Sequence, residues 1–60
     1  MNYMIEYVIK ILVRKFEANI DEAIFFYYEL RNRRKLEHFI NHVNDFSTFQ
    51  EVKLFYLGGN

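Results

Sequence analysis

Cysteine and proline are absent from this 60-residue chain, and its only two glycines, Gly58 and Gly59, stand near the C-terminal end. Without cysteine it has neither disulfide bonds nor zinc–thiolate sites, which often stabilise domains of this size. Without proline or internal glycine it also lacks the residues that most strongly interrupt helices. A chain this short forms one domain at most, residues 1–60, and leaves about 40% of its unfolded-chain surface exposed after folding. We therefore expect self-association, as a homodimer, to supply part of its stability.

The formal net charge is zero, and no apolar run reaches the length of a membrane-spanning helix. Balanced charge gives no field that would draw the whole chain to nucleic acid or to an anionic membrane. The N-terminal residues also lack the charged start, unbroken apolar segment and cleavage site of a signal peptide. We therefore expect a cytoplasmic protein that does not bind membranes. The abundance of Asn, Ile, Lys, Phe and Tyr fits an A/T-rich genome, such as that of a low-GC bacterium or its phage.

The first segment, residues 3–17, is apolar except for a stripe of polar residues at every fourth position, Glu6, Lys10 and Arg14, and a polar end. This spacing predicts a helix, because a strand would alternate polar and apolar residues. Several β-branched residues keep a strand as the alternative. Because the polar stripe is narrow, we expect neighbouring segments to cover most of this helix.

Asn19 is the clearest boundary signal in the chain. Asparagine is a favoured N-cap, and Glu22 follows three residues later, as in a capping box. The first helix is therefore expected to end near Ala18 and the second to begin near Ile20. With so short a connection, the two helices are expected to fold back as a hairpin or to meet at an angle.

The second segment, residues 20–43, carries an apolar stripe with helical spacing that is interrupted by polar residues. The stripe comprises Ile20, Ala23, Ile24, Tyr27 and Tyr28, and resumes with Leu36, Phe39, Ile40 and Val43. Two interpretations fit: one long helix with a polar interruption, or two shorter helices with a break near residues 32–34. Because no glycine or proline forces a break, we predict one continuous helix.

A short third helix is predicted over about residues 48–57. Ser47 with Gln50, or Thr48 with Glu51, are alternative caps at its start. Its apolar positions are Phe49, Val52, Phe55 and Tyr56, and the two glycines are expected to end it as a left-handed cap. The predicted fold class is therefore all-α, a helical hairpin of two long helices with a short C-terminal helix, in a dimer.

Few side chains offer catalytic chemistry. His38 and His42 lie one helical turn apart, a spacing that can hold a transition metal, but Asp45 is the only carboxylate that extends this face. We interpret them as a solvated or pH-sensitive surface pair. The acidic residues near the second helix start are explained by the helix dipole, and no phosphate-binding loop or nucleophile elbow is present. We therefore predict no enzymatic activity, no cofactor and no metal.

Four consecutive aromatic residues, 25–28, surround one full turn of the predicted second helix. At least one ring must therefore point away from the core, where the C-terminal helix, a second copy or a partner would cover it. Aromatic and arginine side chains dominate protein-binding hot spots. The residues predicted to bind a partner protein are Phe25, Phe26, Tyr28, Arg31, Arg33 and Arg34.

The basic cluster, residues 31–35, holds four of the eight positive charges of the chain. Three interpretations are open. It is a solvated patch between two core segments, a charged rim around a protein interface, or a phosphate-binding site with Tyr27 and Tyr28 stacking on bases. Zero net charge disfavours the last of these. A small DNA-binding regulator therefore remains the alternative to a protein-binding regulator.

The segment EANIDEAIFFYYELRNRR resembles the helical hairpin of the Sin-type anti-repressors, with matches at Glu17, Ala18, Asn19, Ile20, Asn32, Arg33 and Arg34. This resemblance implies a protein that binds the helical dimerisation segment of a repressor and displaces its self-association. The chain after Asn41 is additional to that pattern. Separately, IDEAI followed by KLEHF resembles the IDEAL domain, a short helical module.

Overall fold

A computed structural model describes the backbone of residues 2–58 and the side chains of residues 4–58. Within this range the helices are α1 (Asn2–Arg14), α2 (Ile20–Asn32), α3 (Leu36–Asn41) and α4 (Phe49–Tyr56), and one 3-10 turn, Val43–Asp45, precedes α4. No strand occurs in residues 2–58. The predicted all-α class is therefore confirmed, and the strand alternative for the first segment is wrong.

Helix α1 packs into the core through residues spaced four apart. Val8 and Leu12 are fully buried, and Phe16 continues their line just after the helix. Met4, Ile5, Ile9, Ile11 and Val13 are half-buried, whereas Tyr7 is exposed. The helix is thus covered over much of its circumference, as the narrow polar stripe predicts, but not at Tyr7.

The end of α1 lies at Arg14, four residues before the predicted end at Ala18. The cause is Glu17, which adopts a left-handed backbone conformation with φ 60°. The chain reverses there, and the N–H of Ala18 donates to the Leu12 carbonyl over 3.0 Å. As a result, both Phe16 and Ala18 are buried. In a continued helix these two side chains would point to opposite sides, so that only one of them could enter the core.

The N-cap predicted at Asn19 is confirmed. Its side-chain oxygen accepts a hydrogen bond from the N–H of Glu22 over 2.8 Å, at the third position of α2. Ala18 and Ala23, the residues before the cap and at the fourth helical position, are both buried, which is the arrangement of a hydrophobic staple. The cap hydrogen bond fixes the start of α2, and α1 and α2 pack against each other.

The predicted continuous helix over residues 20–43 is wrong, because α2 ends at Asn32 and α3 begins at Leu36. Arg34 has φ 58°, a left-handed conformation that no α-helix continues through. Its N–H donates to the Arg31 carbonyl, and the N–H of Lys35 donates to the Leu30 carbonyl over 2.8 Å. This pair of bonds is a Schellman motif, which ends helices without requiring glycine or proline.

Helix α4 begins at the second of the two alternative caps. The Thr48 hydroxyl accepts from the N–H of Glu51 over 3.1 Å, and the Glu51 carboxylate accepts from the N–H of Ser47 over 2.6 Å. Gly58 donates its N–H to the carbonyls of Lys53 and Leu54 but does not have a positive φ. The predicted left-handed glycine cap is therefore wrong for Gly58, and Gly59 lies outside the described residues.

The core is built around aromatic rings from all parts of the chain. The Phe26 ring lies at its centre, with centroid distances of 6.2 Å to Phe39, 5.5 Å to Phe49 and 6.3 Å to Tyr56. All three pairs are edge-on, the geometry that aromatic rings prefer. Phe39 also contacts Phe16, at 6.3 Å. The break between α2 and α3 allows Phe39 to reach this cluster, since it re-aims α3 toward the core.

Candidate protein-binding face on helix α2

The aromatic run 25–28 divides into two buried and two exposed rings. Phe26 is 0% exposed and Tyr27 is buried, whereas Phe25 is 62% exposed and Tyr28 is 44% exposed. The buried face of α2 is Ala23, Phe26, Tyr27 and Leu30. Phe26 is therefore a core residue, and its prediction as a partner-binding side chain does not agree with this structure. The physical reason is that α3 and α4 cover its ring.

The predicted core stripe of α2 is displaced around the helix axis. Ala23 and Tyr27 belong to the core as expected, but Ile20, Ile24 and Tyr28 are exposed. Sequence spacing alone does not distinguish the predicted stripe from the stripe that is buried, because both have helical periodicity and both are apolar. The apolar residues of α2 that stay outside the core form an exposed face of the helix.

We define the α2 outer face as Ile24, Phe25, Tyr28 and Arg31. At about 100° per residue these side chains fall within an arc of about 120° around the helix. The Arg31 guanidinium carbon lies 5.9 Å from the centroid of the Tyr28 ring, which is within cation–π range. The Tyr28 ring also meets the Tyr27 ring edge-on, with an interplanar angle of 81° and centroids 5.1 Å apart. Because Tyr27 is buried, Tyr28 is held in a defined position at the surface.

An open groove of about 350 Å³ runs beside this face, between the first half of α2 and α4. Phe25 forms one side of it, and Phe49 and Leu57 contribute to the other, with Phe26 among its lining residues. The Lys53 ammonium lies 4.8 Å from the centroid of the Phe49 ring. The groove extends the apolar surface of Phe25 with a concave rim, which is a shape that receives a protruding side chain.

The basic cluster 31–35 lies at the C-terminal end of α2 and in the turn that follows it, and its side chains are exposed. Only Arg33 among them forms an ion pair within residues 4–58, with Nε 3.4 Å from the Glu29 carboxylate. Such an exposed pair contributes about 0.2–1 kcal/mol. Arg31 adjoins the aromatic side chains, whereas Arg34 follows the end of the helix. The cluster thus borders the α2 outer face at one end.

The two histidines lie near α4 and are held by separate hydrogen bonds. His38 Nδ1 is 2.7 Å from the Tyr56 hydroxyl, and His42 Nδ1 is 2.9 Å from the Asp45 carboxylate. Their rings stack with centroids 4.3 Å apart. Burial raises the pKa of the Tyr56 hydroxyl, and the Asp45 carboxylate adds to the shift. Within the described residues no group of three or more potential metal ligands is present.

Two features of this region were not predictable from the sequence. The contact between His38 and Tyr56 joins residues 18 positions apart, for which no local pattern gives a signal. Phe55, one of the apolar positions of the predicted C-terminal helix, is 59% exposed, next to exposed Leu54. The α4 core positions are Val52 and Tyr56, spaced four apart, which leaves Phe55 on the flank.

No helix among the described residues has the length and apolar character needed to cross a membrane. Comparison with known proteins adds no relative. No family model matches the chain, and neither the curated proteins nor the solved structures contain a significant match.

Proposed function

We propose that this chain is a non-enzymatic, cytoplasmic regulatory protein that binds a partner protein through the α2 outer face, as an inhibitor, anti-repressor or adaptor. The observation that carries the proposal is the exposure of Phe25 and Tyr28 on one helix face, with Arg31 over the Tyr28 ring. Aromatic and arginine side chains are the residues most enriched in binding hot spots. An exposed aromatic face on a small chain is the surface that a partner would cover.

The arrangement of the site supports a protein partner over a small-molecule ligand. The groove beside Phe25 is open, and its rim carries Asp21, Glu22 and Lys53, so charged groups surround an apolar centre. Protein interfaces have this anatomy, with an apolar core and a polar rim. The resemblance to Sin-type anti-repressors supports a helical segment as the partner, docked against α2. A helix presents apolar anchors at a spacing of three or four residues, which matches the spacing of Phe25 and Tyr28.

Two further parts of the proposal concern architecture. We propose that α1 and α2 act as a helical hairpin, with the shorter helices α3 and α4 closing one side of it. We also propose that the chain forms homodimers, since 60 residues give a small core and exposed apolar side chains remain on α2 and α4.

Affinity capture with matched variants tests the proposed binding face. The tagged protein is used to capture partners from a lysate of its source cells, in parallel with Phe25→Ser and Phe55→Ser variants. Both substitutions remove an exposed phenylalanine, at 62% and 59% exposure. Because the Phe55 ring also packs against the rings of His38, Phe46 and Tyr56, circular dichroism must first show wild-type helicity for both variants. We expect a partner that Phe55→Ser retains and Phe25→Ser loses.

The affinities of that purified partner complete the test. Truncation of a hot-spot aromatic costs at least about 2 kcal/mol, so the Kd for Phe25→Ser should rise about 30-fold. Equal affinity for the wild type and Phe25→Ser would remove the α2 outer face as the binding site.

A DNA-binding regulator is the second candidate, and the exposure of all four basic side chains of residues 31–35 favours it. The test is the salt dependence of binding to duplex DNA, for the wild type and an Arg33→Ala/Arg34→Ala variant. Phosphate contacts give a steep fall of affinity with salt, and removing two of them lowers the slope by about two. A steep slope that the double substitution lowers would replace the protein-binding proposal with this one.

A further inference from the structure

The two ends of α2 carry side chains of opposite charge. Asp21 lies in the first turn and Arg31 in the last, with Ile24, Phe25 and Tyr28 between them. On the helical projection Asp21 and Arg31 both fall within the arc of about 120° that contains the α2 outer face. The outer face therefore runs from an acidic end through an apolar centre to a basic end.

We infer that the α2 outer face is self-complementary and that its occupant is the α2 helix of a second copy, antiparallel and related by a two-fold axis. The midpoint between Asp21 and Arg31 is position 26, which is also the midpoint between Ile24 and Tyr28. A two-fold axis over this position brings Asp21 of each copy opposite Arg31 of the other. The same axis brings Ile24 opposite Tyr28, with the two Phe25 rings close to the axis. A parallel pair would instead place like charges opposite each other at both ends.

The helix dipoles favour the same arrangement. In an antiparallel pair, the positive N-terminal end of each α2 lies beside the negative C-terminal end of the other. Two-fold interfaces of this kind use one patch twice, so a single face with opposite charges at its ends is sufficient to close the dimer.

The size of the face predicts a weak dimer. A 13-residue helix such as α2 is about 20 Å long. A standard interface buries about 800 Å² on each partner. That would be nearly a fifth of the chain's accessible surface of 4412 Å² and more than one short helix offers. We therefore expect reversible association with a Kd on the order of micromolar rather than nanomolar.

One consequence of this inference rests on the proposed function, because the dimer and the partner protein would bind the same aromatic side chains. Self-association then conceals Phe25 and Tyr28, and a partner gains access only to the monomer. The apparent Kd for the partner is therefore the intrinsic Kd of the monomer divided by the fraction of the chain that is monomeric. Regulation by the concentration of the protein itself follows from the shared face.

Charge reversal tests the dimer geometry. Sedimentation equilibrium at several concentrations is measured for the wild type, Asp21→Arg, Arg31→Asp and an equimolar mixture of the two variants. Each variant alone places like charges at both ends of the antiparallel pair, and we expect its dimer Kd to rise about tenfold. In the mixture, the Asp21→Arg chain has arginine at both positions 21 and 31, and the Arg31→Asp chain has aspartate at both. Opposite charges then meet at both ends of the pair, so association should recover as a heterodimer.

Glu37→Arg is the matched control. Glu37 is exposed in the first turn of α3, so its reversal makes the same change of charge at a helix start, but it belongs neither to the α2 outer face nor to the lining of the groove. We expect the control to keep the wild-type Kd, and circular dichroism to give equal helicity for all variants.

The inference is overturned if the wild type stays monomeric up to millimolar concentration. It is also overturned if the control variant has a dimer Kd as high as that of Asp21→Arg, or if the mixture of the two variants stays monomeric. These measurements contain only this protein. A failed dimer therefore leaves the capture experiment with Phe25→Ser to decide separately whether the α2 outer face binds a partner protein.

Discussion

Replacing Arg34 with glycine is expected to stabilise the protein, although glycine usually weakens helical proteins. Arg34 has φ 58°, and this conformation costs a residue with a side chain about 1–2 kcal/mol. Glycine adopts it freely but loses more entropy on folding, by about 0.4–1 kcal/mol. The net gain is about 0.5–1 kcal/mol. For a domain of this size such a gain raises the Tm by about 2–8 °C.

Thermal unfolding followed by circular dichroism measures this effect, with Arg33→Gly as the control. Arg33 is the same residue type one position earlier, but its φ is −91°, so glycine there gives no relief and should cost stability. The two substitutions are therefore expected to have opposite signs. If α2 and α3 were one continuous helix, both would destabilise by about 1 kcal/mol. A Tm for Arg34→Gly below that of the wild type would refute the break in the helix.

Three further predictions follow from particular contacts. Asn19→Ala removes the cap of α2 and should cost about 1 kcal/mol in urea denaturation. A urea midpoint equal to that of the wild type would show that the cap hydrogen bond contributes nothing. Phe26→Ala should cost about 3–5 kcal/mol, most of the stability of a chain this short, and Phe25→Ala about 0.5 kcal/mol or less; equal losses would contradict the division of the aromatic run. Because burial raises the pKa of Tyr56 in the folded protein, the unfolded chain loses that proton first as the pH rises. Stability should therefore fall above about pH 10, and Tyr56→Phe should reduce this fall; an unchanged pH profile in the variant would contradict the assignment.

Local sequence signals predicted the parts of this fold that depend on neighbouring residues. The cap at Asn19 needs only its own side chain and the N–H three residues later, and its geometry agrees with the prediction. The period-four stripe of the first segment likewise identified a helix, α1, because the polar spacing is a property of one element.

The break after Asn32 was not predictable in the same way. A Schellman motif at a non-glycine residue costs local free energy, and the compensation comes from distant contacts. Phe39 reaches Phe16 and Phe26 only if α3 leaves the direction of α2. The sequence contains no local residue that records this gain, so propensity favoured a continuous helix.

The same reasoning explains the candidate site. Sequence showed that four adjacent rings cannot all enter one core, but it did not identify which ones remain outside. That choice depends on where α4 packs, since Phe49 and Tyr56 cover Phe26 and leave Phe25 exposed. The corrected site has fewer aromatic residues than predicted. It also gains a groove that sequence analysis did not anticipate.

Site-specific photo-crosslinking tests the central claim, that the α2 outer face binds the partner protein. The photoreactive analogue p-benzoyl-phenylalanine is incorporated at Phe25 or, in a second sample, at Phe55, both of which are exposed phenylalanines. Each sample is irradiated in a lysate of the source cells, and mass spectrometry separates crosslinks between copies of this chain from crosslinks to another protein. We predict a crosslinked partner protein from position 25 and none from position 55. A partner crosslinked from position 55 but not from position 25 would contradict the account.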